Sequence, residues 1–425
     1  MAFALYSLLL TLVAPLVRIR LWWRGRKSPG YQERIPERFG HVVPPGKPVI
    51  WVHAVSAGET IAIAPLIARL TEQFAGLDFV VTTMTPTGAA EVVRHLEGKV
   101  HHYYAPYDFP WAVDRFFRKM RPLLLILVET ELWPGWMRQA KKRGVPVLLV
   151  NARLSAASTR GYEKVSALTK PMMASIKEIA CQTEDHAKRF QQLGAAKDKV
   201  QVLGSVKFDV AAPANLEAVV TQLQQRWQAA NRPVWIAAST HSGEEESLLT
   251  AHKILLSQHP HALLILVPRH PERCDAVQKL ITTQGLGCDR YSDSQHVALP
   301  QVVLVDVMGL LTTLYAVADV AFIGGSLNDT GGHNPIEAAV HKLPILMGPS
   351  RHNFEDVCQQ FEAAAGLATV NNAEELSATL SQLLNDNNRR NAMADNAYTI
   401  VEQNRGATIR LENLLTREIT AVIAQ

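Results

Sequence analysis

The feature that most constrains this chain is a series of short, wholly apolar runs separated by helix-like stretches. In the first half they fall at residues 48–53, 79–83, 123–128, 145–150 and 178–181. In the second half they fall at 234–238, 262–267, 302–305, 320–323 and 344–347. A strand with one wet face alternates apolar and polar residues. These runs do not alternate, so both faces are covered, which is the signature of parallel strands under helices. Two such blocks predict an α/β protein made of two doubly wound domains. The 425 residues exceed one typical core and suit two. The boundary is expected at 212/213, where Ala211–Ala212–Pro213 interrupts the pattern, giving domains at 28–212 and 213–425.

Residues 1–17 carry no charged side chain, and Arg18, Arg20, Arg24, Arg26 and Lys27 follow, with Trp22 and Trp23 among them. A secretory signal would place its cations before the apolar run, not after it. Residues 1–27 are therefore expected to be a membrane-associated helix and basic flank, with the rest of the chain on the cytoplasmic side. About 17 residues is the short limit for a span, and Pro15 leaves an interfacial helix open. A buried core helix is the alternative. Residues 109–121 and 133–143 also mix aromatics with cations. They read as amphipathic helices or as lipid contacts.

Composition removes several classes. Hydrophobic residues make up 48% and charged residues 19%, as in a packed protein. A net charge of +4 is small for this length and argues against a dedicated nucleic-acid binder. Cys181, Cys274, Cys288 and Cys358 are scattered, with no Cys-x-x-Cys pair, so neither a disulfide framework nor a zinc ribbon is expected. No phosphate loop, Gly-x-Ser-x-Gly elbow, His-Glu-x-x-His or Asp-x-Asp pair is present. No metal site is expected, and His101–His102 and His259–Pro260–His261 read as surface or strand-end residues.

Candidate chemistry lies where predicted strands end, because ligands of open α/β sheets bind there. Glu59 of His53-Ala54-Val55-Ser56-Ala57-Gly58-Glu59 enters the first turn of a helix. It can serve as a base or simply interact with the helix dipole. Glu129 and Glu131 follow a very apolar run, where a carboxylate is costly unless paired, functional or capping a helix. Lys207 precedes the expected linker, either facing an interdomain cleft or lying on the surface. In the second half, Ser239-Thr240-His241, Pro268-Arg269-His270 and Gly324-Gly325-Ser326 end strands. Gly331-Gly332-His333-Asn334-Pro335-Ile336-Glu337 then leads into a helix whose free N–H groups would suit a phosphate, with Glu337 placed for ribose hydroxyls.

Taken in order, these blocks resemble the 3-deoxy-D-manno-oct-2-ulosonic acid (Kdo) transferases of Gram-negative bacteria that act on the lipid A precursor. The match runs from Arg20-Leu21-Trp22-Trp23-Arg24-Gly25-Arg26-Lys27 through Ser56-Ala57-Gly58-Glu59 and Thr83-Met84-Thr85-Pro86-Thr87-Gly88. It continues through Glu129-Thr130-Glu131-Leu132-Trp133-Pro134, Asn151-Ala152-Arg153-Leu154-Ser155 and Gly204-Ser205-Val206-Lys207-Phe208-Asp209. Pro268-Arg269-His270-Pro271-Glu272-Arg273 and Gly331 to Glu337 complete it.

The resemblance implies two Rossmann-like domains of the GT-B type, CMP-Kdo as donor, a lipid A precursor as acceptor, inversion at the anomeric carbon and no metal or other cofactor. It implies the bacterial inner membrane as location, with the catalytic domains on the cytoplasmic side. Glu59 would be the general base, and Glu129 and Lys207 would stabilise the transition state. Donor contacts would fall on Pro268, Arg269, Met308, Gly309, Leu310, Asn334, Pro335, Ile336 and Glu337. The family commonly has Met-Gly-Glu where this chain has Met308-Gly309-Leu310, so a carboxylate contact to the donor is missing here. A nucleotide-sugar epimerase of the same architecture, or a non-catalytic lipid-binding protein, would use similar domains. Neither accounts for both the N-terminal segment and the Glu59, Glu129, Lys207 set.

Overall fold

The computed structural model describes residues 2–210, 216–293, 297 and 299–424. The chain divides into two compact units, Met1–Asp209 with Arg405–Gln425, and Val210–Asn404. The boundary expected at 212/213 lies outside the described residues. The expectation that the second domain runs to 425 is corrected, since the chain returns to the first unit at Arg405.

The first unit holds strands β1 (Val49–His53), β2 (Asp78–Thr83), β3 (His101–Tyr104), β4 (Pro122–Val128), β5 (Val147–Ala152), β6 (Glu178–Cys181) and β7 (Val200–Val202). They form one parallel sheet in the order β3-β2-β1-β4-β5-β6-β7. The order reverses between β1 and β4, and His53 pairs with Leu127 across that seam. The residues that leave β1 and β4 therefore emerge side by side at the switch point, where such sheets open a crevice.

Both faces of the sheet are covered, as continuous apolar strands require. Trp51, Phe116, Phe117 and Trp136 pack on one face. Ile63, Leu66, Ile67 and Leu70 of helix Ala57–Gln73 pack on the other, together with Leu411, Leu414, Leu415 and Ile419 of the last helix, Ala407–Ile423. Each such side chain contributes about 1.5–3 kcal/mol of burial. That explains why the C-terminal helix belongs to this unit. Asp209 fixes its start by accepting from the backbone N–H groups of Gly406 and Thr408.

The second unit holds β8 (Val234–Thr240), β9 (Leu263–Pro268), β10 (Cys288–Arg290), β11 (Val302–Leu304), β12 (Val320–Ile323), β13 (Ile345–Met347) and β14 (Leu367–Thr369). Their order is β10-β11-β9-β8-β12-β13-β14, again all parallel. The reversal falls between β8 and β12. Ala238 pairs with Ile323, so Ser239–Thr240–His241 leaves the sheet beside Gly324–Gly325–Ser326. A Cβ on Gly324 would lie 2.6 Å from the carbonyl oxygen of Ser239, so only glycine admits this approach.

The N-terminal segment forms a helix over Ala2–Lys27 that contains Pro15. Among the described residues no single helix is long and apolar enough to cross a membrane. One bent pair, Ala2–Val17 and Ile19–Arg26, passes by length and composition with a 40° bend. One face of this helix packs on the first unit. Leu10, Ala14 and Val17 lie against Phe39, Phe109 and Ala112, Leu21 is buried, and Tyr6 Oη donates to Asp108 at 2.8 Å. Leu5, Leu8, Leu9, Leu12, Leu16, Ile19, Trp22 and Trp23 remain exposed. In the two other mixed segments the aromatics mostly serve the core. Phe116, Phe117 and Trp136 are fully buried, while Trp111 is exposed.

Candidate active site

Glu59 stands in the first turn of the helix after β1, with Ser56 as N-cap. Its carboxylate folds back on its own turn, Oε2 accepting from Val55 N at 2.7 Å and Oε1 from Ser56 Oγ at 3.0 Å. Ser56 makes no side-chain cap bond of its own, so this is only the Glu half of a capping box, shifted by one residue to Val55 N–H. Burial, then the negative charge of Glu129, lifts the Glu59 carboxyl to about 7, against the opposing pull of its two donors and with a smaller push from Glu131. A base poised there accepts a proton well near neutral pH.

Glu129 follows β4 and is 5% exposed, with φ of +61°, unusual for a side chain other than glycine. Two cations hold it, Arg153 Nε at 2.6 Å from Oε2 and Lys207 Nζ at 2.9 Å from Oε1. Lys207 lies in a short 3-10 turn, Val206–Phe208, whose first N–H donates to Asn151 Oδ1 at 3.2 Å. Asn151 itself has φ of +49° at the end of β5. The ammonium of Lys207 thus points back to Glu129 within the first unit. Glu131 is half-buried and accepts from Trp133 Nε1 at 2.9 Å, and burial raises its carboxyl.

Below this group, His53 is fully buried and its Nδ1 lies 2.8 Å from Thr82 Oγ1. Burial lowers it to about 3, so it is a neutral support and not a base. Glu59, Glu129, Glu131, Lys207 and Arg153 are thus brought to one end of one sheet. Arg153 had no assigned role in sequence, although it sits in the Asn-Ala-Arg-Leu-Ser block. A cation just after a buried strand, opposite a buried carboxylate, was the available signal.

Of the donor residues expected in the second unit, Pro268 and Arg269 lie at the end of β9 and Asn334–Glu337 follow β12. Pro268 ends β9, and Arg269 N donates to Thr240 O at 2.9 Å. The Arg269 guanidinium makes no ion pair or hydrogen bond among the described residues; burial raises the carboxyl of Glu337, against the Asn334 hydrogen bond and the charge of Arg269. Asn334 Nδ2 donates to Glu337 Oε1 at 3.2 Å, and Ile336 N donates to Asn334 Oδ1 at 3.0 Å. The helix after Pro335 is only Ile336–Val340. The expected phosphate-binding helix start is thus a single turn with one N–H already taken. Met308 and Gly309 lie in an exposed loop after β11, Gly309 with φ of +87°. Leu310 caps the next short helix. These are not drawn toward Asn334–Glu337 by any hydrogen bond among the described residues.

Two supports went unread in the sequence. Glu244, fully buried, accepts from the backbone N–H groups of His241, Gly325 and Leu327. Glu245 pairs with Arg273 at 2.6 Å and accepts from Thr240 Oγ1. Three consecutive acids after Thr240-His241-Ser242-Gly243 were the signal. Among the described residues no group of three or more His, Cys, Asp or Glu is arranged to hold a metal ion.

The two-unit architecture is similar to that of UDP-GlcNAc 2-epimerase from Neisseria meningitidis, with a TM-score of 0.56 over 87% of this chain and 99% of that one. At 18% identity the likeness extends to the fold alone. The class defined by fold and site is a glycosyltransferase with two Rossmann-like domains. Residues 33–210 match the family model for 3-deoxy-D-manno-octulosonic-acid transferase (kdotransferase). The chain is 38% identical to 3-deoxy-D-manno-octulosonic acid transferase of Haemophilus influenzae, over 96% of this chain and 97% of that protein. It is 36% identical to the Bordetella pertussis enzyme of the same name, over 95% and 96%. The chain belongs to the 3-deoxy-D-manno-octulosonic acid transferase family.

Proposed function

We propose that this Kdo transferase moves Kdo from CMP-Kdo to a hydroxyl of a lipid A precursor, with inversion and without a metal ion, at the cytoplasmic face of the inner membrane. The observation that carries the reading is the Glu59 carboxyl, placed at the β1/β4 switch point and lifted to about 7 by burial and by Glu129. Glu59 takes the proton of the acceptor hydroxyl as its oxygen attacks the anomeric carbon. The bond from that carbon to the phosphate oxygen breaks on the opposite face, and CMP leaves with the electron pair. The phosphodiester carries a single negative charge and becomes a dianion on leaving. Arg269 is a cation free to meet it. Glu129, paired with Arg153 and Lys207, raises the carboxyl of Glu59 and so keeps it basic.

Membrane attachment is supported by the exposed apolar face of helix Ala2–Lys27. Beside it, a cavity of about 260 Å³ is lined by Phe3, Met137, Leu168 and Met172 with Arg138 and Lys141 at its edge. Apolar walls with cations suit an acylated, phosphorylated acceptor. The metal-free reading rests on the missing Asp-x-Asp and on Arg269 as charge partner.

The deciding experiment incubates purified full-length protein with CMP-Kdo and a tetra-acylated disaccharide lipid in excess chelator. CMP release is followed and the products are weighed. A lipid heavier by one or more Kdo units is expected. CMP release without a heavier lipid would sink the acceptor assignment, and activity restored only by magnesium would sink the metal-free one.

A further inference from the structure

Three imidazoles meet at the carboxyl end of the second sheet, and the transfer as derived above uses none of them. His241 follows β8, His270 follows β9, and His333 lies in the loop after β12. β8 and β12 are the strands between which the sheet order reverses, so His241 and His333 face each other across the switch point. Their Nε2 atoms are 2.8 Å apart, with ring centroids at 5.0 Å and 7° between planes, the near-coplanar edge-to-edge geometry of an N–H···N bond. His270 stands edge-on to His241 at 5.5 Å.

Two imidazole nitrogens at that distance share one proton, one ring donating and the other accepting. Two neutral rings satisfy the contact. So does one imidazolium with one neutral ring, because an added proton goes to the outer nitrogen of the donating ring. The pair can gain a charge without losing its hydrogen bond.

Its surroundings keep it uncharged until an anion arrives. Burial, then the charges of His241, Arg269 and His270, lowers His333 to about 4. Burial and then His270 lower His241, against a pull from Glu245 and with smaller pushes from Arg273 and Arg269. Glu244 on the same helix spends its carboxylate on backbone N–H groups. The result is a cation-rich corner with an unprotonated pair between Arg269 and Asn334.

We propose that His241 and His333 form a proton-linked subsite for the donor's phosphate, the pair taking one proton from solvent as the phosphate binds. This rests on the reading that the nucleotide sits at Arg269 and Asn334–Glu337. A phosphate oxygen beside the pair replaces repulsion from Arg269 and Arg273 by attraction, and that favours the imidazolium. No covalent bond changes. When the anomeric carbon later leaves and the phosphate gains its second charge, the countercharge is already in place.

The test is calorimetric titration of the full-length protein with CMP in Hepes and in Tris at pH 7.5, the difference in apparent heat counting protons. Cytidine serves as the phosphate-free probe. The native protein takes up a measurable fraction of a proton, approaching about one as the pH is lowered toward 7. Cytidine gives none, and His333→Gln and His241→Gln each lose most of the uptake while melting cooperatively. The affinity of native protein for CMP rises by at most about tenfold per unit fall in pH, and less steeply in the variants. CMP binding without proton uptake, or equal uptake in native and variants, overturns the subsite while leaving the donor reading intact. Absence of CMP binding to native protein overturns both.

Discussion

Lys207 Nζ lies 2.9 Å from Glu129 Oε1, joining the turn after β7 to the end of β4 across the floor of the candidate site. Glu129 is almost fully buried and Arg153 holds its other oxygen at 2.6 Å. Lys207→Met leaves that carboxylate half-satisfied. The expected loss is on the order of 1–3 kcal/mol, less than for a lone buried pair because Arg153 remains. Denaturant melts of Lys207→Met, of Glu129→Gln and of the double variant check it. The double variant recovers part of the loss, and strict additivity would show that the two residues do not act as a pair.

Glu59→Gln keeps the size and the bonds to the turn but cannot accept a proton. Turnover is expected to fall by about 10²–10⁴, with CMP affinity unchanged. Stability moves the other way. The Glu59 carboxyl is lifted from its ordinary value of 4.5 to about 7, so folding favours the protonated form. Between those values the native state binds more protons than the unfolded chain, and stability falls as pH rises. Above about 7 the whole penalty is present, so Glu59→Gln is expected to stabilise the protein at pH 8 by on the order of 1–3 kcal/mol and hardly at all at pH 4. Unfolding midpoints at both pH values decide this. Destabilisation at pH 8 would make Glu59 chiefly a helix-start residue.

The ten central and near-central strands were legible because their apolar runs must be covered on both faces. β3, β7, β10 and β14 were not, since each occupies an edge or lies near one and carries polar or half-exposed residues such as His101, Gln201 and Arg290. The swap of the last helix to the first unit could not be read either. An amphipathic helix shows which face is buried but not against which sheet. At the site, position was legible from strand ends and role was not. That Glu129 is gripped by Arg153, and that His241 meets His333, depends on pairing between segments far apart in sequence.

Leu310 caps a short helix in a loop where Met308 is 52% exposed. With no carboxylate at this position, donor binding here is left, on the proposed reading, to backbone groups and to Arg269. Leu310→Ala is expected to raise the Michaelis constant for CMP-Kdo by less than about tenfold, under 1.4 kcal/mol of binding. Steady-state kinetics at saturating acceptor measure it. A hundredfold rise with normal melting would show that the side chain itself contacts the donor.

The N-terminal helix has a docked face as well as an exposed one. Asp108 accepts from Tyr6 Oη, Gly135 N and Trp136 N. Tyr6→Phe removes one of the three and is expected to cost about 1 kcal/mol. Deleting residues 2–27 also uncovers Phe39 and Phe109, so the truncated protein is expected to leave the membrane fraction and to melt at a lower temperature. Unchanged melting of the truncated chain would show that the docked face contributes nothing.

The sharpest test of the site concerns Glu129, because its charge reaches Glu59 without touching the acceptor. The Glu59 carboxyl is lifted first by burial and next by Glu129. In the native enzyme the acidic limb of kcat/KM against pH is therefore expected near 7, activity falling below it as Glu59 takes up a proton before the acceptor arrives. Glu129→Gln removes the negative charge and keeps the shape, leaving one acceptor oxygen for either Arg153 or Lys207 and an amide NH2 toward the other. Losing a nearby like charge lowers the carboxyl of Glu59, so the limb moves to lower pH. A weaker base abstracts the acceptor proton less readily, so the plateau rate falls as well. A structural effect alone lowers the plateau and leaves the limb in place. The pH profile of Glu129→Gln therefore separates the two: a displaced limb shows that Glu129 sets the basicity of Glu59. An unmoved limb assigns Glu129 to holding Lys207 and Arg153 in place.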